Sequence, residues 1–196
     1  MSVVAIQGVK GSYSEEAARI FMEADAELIE CLDFAQAFDT VANARAEYAV
    51  VPVENKIVGE IEDVTSLLRM SSFSVIKKSR LKVEHVLTGT PDCDGDLESI
   101  RTVRSHIEAL KQCRRFLSAN IHIAQVLGAD TASSVRRVVD ENIADNAAIG
   151  SRRAAEMYGA KIIAENVADD KDNWTTFCLI GRQRFRPGAL GQNGSQ

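Results

Sequence analysis

From Val3 to Arg182 the apolar residues change period repeatedly, from short continuous runs to helical three-and-four spacing and back. "VVAIQ" (3–7) and "YAVVPV" (48–53) have the length and β-branched content of strands. Between them, "GSYSEEAARIFMEA" sets Ala17, Ile20, Phe21 and Ala24 on one helical face, and "DFAQAFDTVANAR" does the same with Phe34, Phe38 and Val41. Continued to the end, the pattern reads as about eight strands and six helices in alternation, the signature of an α/β fold. No internal period of roughly 20 to 50 residues repeats, which excludes a solenoid.

The helix boundaries carry their own signals. Ser14 is expected to cap the first helix, with Glu15 and Glu16 where the dipole favours anions, and Asp33 to cap the second. Ser105 and Glu108 have capping-box spacing, Thr131 or Ser133 lies near the start of a later helix, and Gly159 is placed to stop another. In an open parallel sheet, ligands sit at the strand C-terminal ends, against free N–H groups of helix N-termini. The junctions here carry Ser12 and Ser14, Asn55, Ser105, Thr131 and Ser133, and Ser151. Singly each reads as a cap; together they suggest an anion site.

Several function classes are disfavoured. The net charge is −5 with Lys and Arg scattered, so neither nucleic acid nor an anionic membrane is an expected partner. The start, "MSVVAIQGVKGS", has no signal-peptide pattern, and no run approaches the roughly 20 apolar residues of a membrane span. Cys31, Cys93, Cys113 and Cys178 form no C-x-x-C pair, and His85, His106 and His122 are widely spaced, so no metal site is expected. Unpaired cysteines fit a reducing compartment, and a cytoplasmic location is expected. "GVKGSYSEE" (8–16) lacks both G-x-G-x-x-G and G-K-[ST], which disfavours nicotinamide cofactors and ATP. His106 follows a strand and falls in the first turn of a helix, where an anion would be welcome.

Five stretches in order resemble the prephenate dehydratases, which form phenylpyruvate from prephenate: "GVKGSYSEEAA", "VVPVENKIVGEIEDVTSLL", "LKVEHVLTG", "VRSHIEALKQCRRFL" and "AAIGSRRAAEMYGAKIIAENVADDKDNWTTFCLIGR". The resemblance covers residues 3 to 182. It implies a two-lobed fold like the type II periplasmic binding proteins, with an active-site cleft between the lobes. Residues 1–80 plus 165–196 would form lobe 1, and 81–164 lobe 2. It further implies a homodimer. An ACT regulatory domain, common after the catalytic part in that family, is not expected in this chain.

In that family a threonine-arginine-phenylalanine motif lines the cleft and its threonine is catalytic. By resemblance, Thr175, Glu54 and Asn55 are the expected catalytic residues, and Ser12, Ser14, Lys56, Ser105, His106, Thr131 and Phe177 the expected substrate contacts. The reaction expels CO2 and water from prephenate and leaves an aromatic ring, so no cofactor is expected. The protein has only to hold two carboxylates, exclude water and supply a proton to the departing hydroxyl. This chain departs from the pattern at Lys56 for serine, Ile107 for proline and Thr176 for arginine. Lys56 is therefore expected to take over part of the missing guanidinium's role, without its bidentate geometry. Alternatives are a decarboxylase-like lyase that keeps the ring hydroxyl, an arogenate dehydratase, and a non-catalytic ligand-binding protein.

Overall fold

The computed structural model describes residues 2–23 and 26–182. They form two mixed α/β layers built on two sheets. In chain order the elements of the first are β1 (Ser2–Gln7), α1 (Tyr13–Met22), β2 (Ala26–Cys31), α2 (Phe34–Ala42), β3 (Tyr48–Asn55), β4 (Gly59–Glu60), α3 (Glu62–Met70) and β5 (Phe73–Lys82). The second contains β6 (Val86–Gly89), β7 (Thr102–Ser105), α4 (Ile107–Gln112), α5 (Arg114–Ala119), β8 (Ala124–Leu127), α6 (Thr131–Glu141), β9 (Asn146–Gly150), α7 (Arg152–Tyr158) and β10 (Lys161–Ala164). The chain then returns to the first sheet as β11 (Trp174–Arg182).

The strand orders are β2-β1-β3-β11-β5, with β4 beside β3, and β10-β6-β9-β7-β8. The sheets are mixed rather than purely parallel. β11 inserts antiparallel to both β3 and β5, and β6 runs antiparallel to β9 and β10. Strand alternation splits the first core in two. Val4, Ile6, Val50, Phe177 and Leu179 pack under α1, whereas Ala5, Ala49, Val51, Cys178 and Ile180 pack under α2 and α3. The second sheet does likewise: Val103, Ala147 and Ile149 face α4 and α5, and Ala148 faces α6 and α7.

The chain crosses between the sheets twice, between Lys82 and Val86 and between Ala164 and Trp174. The two crossings are tied together: Val83 N–H donates to Asn173 O, and Val167 N–H donates to His85 O. On one side the halves also meet through the β1–α1 loop and α7. Ser151 Oγ donates to Gly11 O, Tyr158 OH donates to Lys10 O, and Arg153 holds Glu15 through two nitrogens. Gly11 has φ +85°, and a Cβ there would lie 3.1 Å from Ala154 Cα. Gly11→Ala thus combines left-handed backbone strain with a clash against α7, and is expected to destabilise the fold by at least about 1 kcal/mol in urea unfolding.

The helix caps show how closely the local signals locate the boundaries. Asp33 and Ser151 cap α2 and α7 as anticipated in kind, and Gly159 ends α7 in the left-handed conformation. Ser12, not Ser14, caps α1, because its Oγ is the one that accepts from Glu15 N–H. Asp130 caps α6 ahead of Thr131 and Ser133. At α4 the capping box does not form: His106 is the N-cap, and Ser105 belongs to β7 and donates to Ile149 O.

Candidate active site

A cleft of about 540 Å³ opens between the halves. Five helices begin at its wall: α1 with Ser12, Tyr13 and Ser14, α2 with Asp33 and Phe34, α3 with Ile61 and Asp63, α4 with His106, Glu108 and Ala109, and α6 with Asp130 and Thr131. Each start presents backbone N–H groups that no helical carbonyl satisfies, with the positive end of a dipole behind them. The sheet's contribution is Gln7 from β1, Pro52 and Asn55 from β3 and Thr175 and Phe177 from β11.

Asn55 reaches this wall because β3 is irregular. Thr176 pairs with Glu54 but Phe177 pairs with Pro52, so Val53 is an extra residue in β3. Such a bulge re-aims the strand beyond it. Without it Asn55 would share the α2 face with Val51; with it, Asn55 lies beside Thr175. Glu54 goes the other way. It is exposed, sits opposite Thr176 and Glu60, and does not line the cleft.

The Asn55 carboxamide is oriented by backbone groups. Its Oδ1 accepts from Ile57 N–H at 2.9 Å and Val58 N–H at 3.1 Å, which leaves Nδ2 to donate to Asn173 Oδ1 at 2.9 Å and Thr175 Oγ1 at 2.8 Å. Thr175 Oγ1 is therefore an acceptor towards Asn55, and its own proton is free to be donated elsewhere. Thr175 is buried, as are Asn55 and Asn173, so this bond operates with little water around it.

Of the expected site residues, the cleft wall brings together Asn55, Thr175, Ser12, Ser14, His106, Thr131 and Phe177. Glu54, Lys56 and Ser105 stand outside it. Ser105 is fully buried in β7, where its hydroxyl is used by Ile149 O. Lys56 turns to the surface at the end of β3: Nζ lies 2.6 Å from Asp172 and 3.8 Å from Asp170. Its ammonium pairs there with both carboxylates, and Lys56 is not among the residues that line the cleft. Thr176 does not line the cleft either, being paired with Glu54 on one side and Arg80 on the other. Lys56→Ala is expected to change stability in urea unfolding by less than about 1 kcal/mol, since exposed ion pairs contribute little.

No Lys or Arg is among the described residues of the wall, whereas Asp33, Asp63, Glu108 and Asp130 are. Recognition of an anion there falls to N–H groups, hydroxyls and His106. His106 Nδ1 accepts from Glu108 N–H at 3.3 Å, which leaves Nε2 to carry the proton of the neutral ring. Sequence reasoning passed over Tyr13, His85, Gln112 and Asn173. Burial, then the nearby Glu16 charge, pushes the Tyr13 phenol well up, so it stays protonated and donates to Glu84 O. Burial pulls His85 down against the opposing effect of its Gln112 hydrogen bond, which favours the neutral ring. Among the described residues no three His, Cys, Asp or Glu side chains gather as a metal ion would need.

The family model for prephenate dehydratase matches residues 4–185. The chain belongs to the prephenate dehydratase family. It is 35% identical over 185 residues to arogenate dehydratase/prephenate dehydratase 2, chloroplastic, of Arabidopsis thaliana, covering 94% of this chain and 48% of the relative. The bifunctional chorismate mutase/prephenate dehydratase of Escherichia coli K12 is 35% identical, over 92% of this chain and 47% of that protein. The chain thus spans about half the length of the curated relatives it matches. Among solved structures, prephenate dehydratase from Arthrobacter aurescens in complex with L-Phe superposes with a TM-score of 0.82 at 26% identity, over 98% of this chain and 63% of that one. GqqA, described as a novel type of quorum quenching acylase, superposes with a TM-score of 0.79 at 30% identity, over 98% of this chain and 67% of that one.

Proposed function

We propose that the chain is a lyase that converts prephenate to phenylpyruvate, with loss of CO2 and water, on the way to phenylalanine. The observation that carries this reading is the Thr175 hydroxyl: buried in the cleft wall, held by an amide donor and left with a proton to give. The expected division into residues 1–80 plus 165–196, of which 183–196 lie outside the described residues, and residues 81–164 makes two lobes, each supplying helix N-termini to the substrate's two carboxylates. Thr175 donates to the ring hydroxyl as it departs, a bond that strengthens as negative charge grows on that oxygen. Cleavage of the ring carboxylate's C–C bond supplies the electron pair that expels the hydroxyl. The leaving oxygen, hydrogen-bonded by Thr175, takes up one proton supplied in net terms by solvent and departs as water, and the ring becomes aromatic. Aromatisation supplies the driving force, so the reaction needs no cofactor. Among the described residues Thr175 has no base in hydrogen-bond reach, which fits a donor and not an acyl-transfer nucleophile.

The acidic lining supports arogenate as a second substrate: its ammonium, in place of the keto group, could pair with Asp33, Asp63, Glu108 or Asp130. Incubation with prephenate and, separately, arogenate, followed by absorbance of the phenylpyruvate enol in base and amino-acid analysis for phenylalanine, tests both. A non-aromatic product would favour the decarboxylase-like reaction, and tight binding without turnover a binding protein. A homodimer in the cytoplasm belongs to the same reading. Edge strand β5 exposes Val75 and Ile76 to a second copy. All four cysteines are free and buried, with burial pushing Cys113 up to about 12, as suits thiols kept from oxidation.

A further inference from the structure

A second cavity, of about 510 Å³, opens where the halves meet beside α7, and Tyr13 is the one residue that lines both it and the cleft. Its volume falls in the range of roughly 300–1,000 Å³ usual for small-molecule sites. One wall is a face of α1, with Tyr13, Glu16 and Ile20 at helical spacing. The opposite wall is α7, with Arg152 and Glu156 one turn apart, and Lys82 and Glu84 close the cavity from the end of β5 and the first crossing. The lining thus comes from both halves and carries both signs of charge. These charges are unequally engaged. Arg19 and Arg153, which also line the cavity, are both held by the buried Glu15. Arg152 pairs with Glu165, which lies outside the lining, and Lys82 pairs with Glu84; these four side chains are 43–56% exposed, so the pairs exchange partners at little cost. The Glu16 and Glu156 carboxylates form no ion pair among the described residues. Burial raises the Glu16 carboxyl in spite of the Arg153 charge nearby, which marks its negative charge as short of a partner.

We propose that this cavity binds a free α-amino acid with an apolar side chain, its ammonium against Glu16 and Glu156 and its carboxylate on Arg152 and Lys82. Ile20, half exposed, and the Tyr13 ring supply the apolar contact. A metal ion is a poor fit, since among the described residues no three acids, His or Cys gather as one needs. An anion alone has to displace carboxylates from cations already paired and leaves Glu16 uncompensated. A cation alone answers Glu16 but makes no use of the exchangeable pairs at Arg152 and Lys82. A zwitterion satisfies both without adding net charge to the cavity. The site stands apart from the dehydratase reading, because Tyr13 alone belongs to both cavities. Tyr13 also makes it a neighbour of the reaction: its hydroxyl donates to Glu84 O on the first crossing, and its ring meets that of His85 edge-on at 6.1 Å. A ligand touching α1 and α7 together also braces the two halves against each other, alongside the Glu15–Arg153 pair.

Amide NMR titration of the full chain with L-phenylalanine, 3-phenylpropionate and phenethylamine tests this, because the three share a ring and differ in charge. L-Phenylalanine is expected to shift the signals of Glu16, Ile20, Arg152 and Glu156 and to leave those of Asn55 and Thr175 in place. The other two compounds each lack one pole and should bind at least about tenfold more weakly. Glu16→Gln, which keeps the shape of the side chain, and Arg152→Ala should each weaken L-phenylalanine about tenfold or more, with urea unfolding like that of the parent because neither touches the Glu15 pairs. Should either fail to fold, Glu156→Gln and Lys82→Ala remove the same two charges from neighbouring positions. Absence of any shift, shifts confined to the cleft, a singly charged compound that binds as tightly as the amino acid, or affinity unchanged in the variants would each overturn the proposal. Since the signals are read without turnover, a parent inactive on prephenate counts against the dehydratase reading and leaves this site standing.

Discussion

Thr175→Val is expected to lower kcat for prephenate by about two to three orders of magnitude, with little change in KM. Valine matches threonine in shape, so the β11 backbone and Phe177 beside it need not move, and the loss isolates the hydroxyl. The ground-state substrate offers a neutral ring hydroxyl, to which one more hydrogen bond adds little. As the C–O bond breaks, that oxygen gains charge in a buried wall, and the Thr175 bond strengthens with it. An interaction made mainly in the transition state lowers kcat and kcat/KM together when it is removed. Thr175→Ser, which keeps the hydroxyl but loses the methyl that restrains its rotamer, should retain most of the rate. Steady-state kinetics on the three proteins checks this; a raised KM with kcat intact would make Thr175 a binding group only.

The second large effect concerns Glu15, whose side chain is fully buried. Burial pushes its carboxyl up, but hydrogen bonds from Arg153, Gly11 N–H and Arg19 outweigh that and bring it down to about 2 from 4.5. Because the folded-state value is the lower one, the ionised form is favoured by folding. The stabilisation is therefore complete above about pH 4.5 and is lost as pH falls towards 2. Arg153 and Arg19 are 31% and 47% exposed and can turn to water, so the cost of Glu15→Ala is set below that of breaking a wholly buried pair, at about 2–3 kcal/mol. Urea unfolding at neutral pH measures it, and the gap between parent and variant should narrow as the solution is acidified from pH 4.5. Since the Arg153 bond joins α1 to α7 across the halves, the variant should also bind prephenate more weakly.

The fold was legible in the sequence to the extent that local physics decides it. The alternation of apolar periods located most of the strands and helices between β1 and β11, because each element has to bury one face on a sheet; it missed the two-residue β4 and read α4 and α5 as one helix. Caps were legible in type but not always in position: in "GSYSEE" two serines compete, and only the geometry of Glu15 N–H chooses Ser12. The antiparallel insertion of β11 left no local trace, since a strand buried on both faces reads alike in either direction.

The cleft was legible where it depends on helix starts. Ser12, Ser14, His106 and Thr131 lie on its wall because strand-to-helix junctions converge there. It was misread where one residue of register matters. Nothing in "VPVEN" announces a bulge at Val53, yet that extra residue is what turns Asn55 inward and Glu54 outward. Lys56 was misplaced for a related reason: its partners, Asp170 and Asp172, lie over a hundred residues along the chain. Gln112, His85 and Asn173 lie inside the resembling stretches, but nothing local singles them out. They are joined by hydrogen bonds spanning 27 and 61 residues, which only the tertiary fold brings together.

A crystal structure of the Thr175→Val variant soaked with prephenate tests the account most directly, because the substrate should persist in the slowed protein. The ring hydroxyl is expected against the methyl groups of the substituted side chain, near where the Thr175 Oγ1 would have been, with the two carboxylates on N–H groups at the starts of α1, α4 or α6. Prephenate bound with its ring hydroxyl turned away from position 175, or bound outside the cleft, would contradict it.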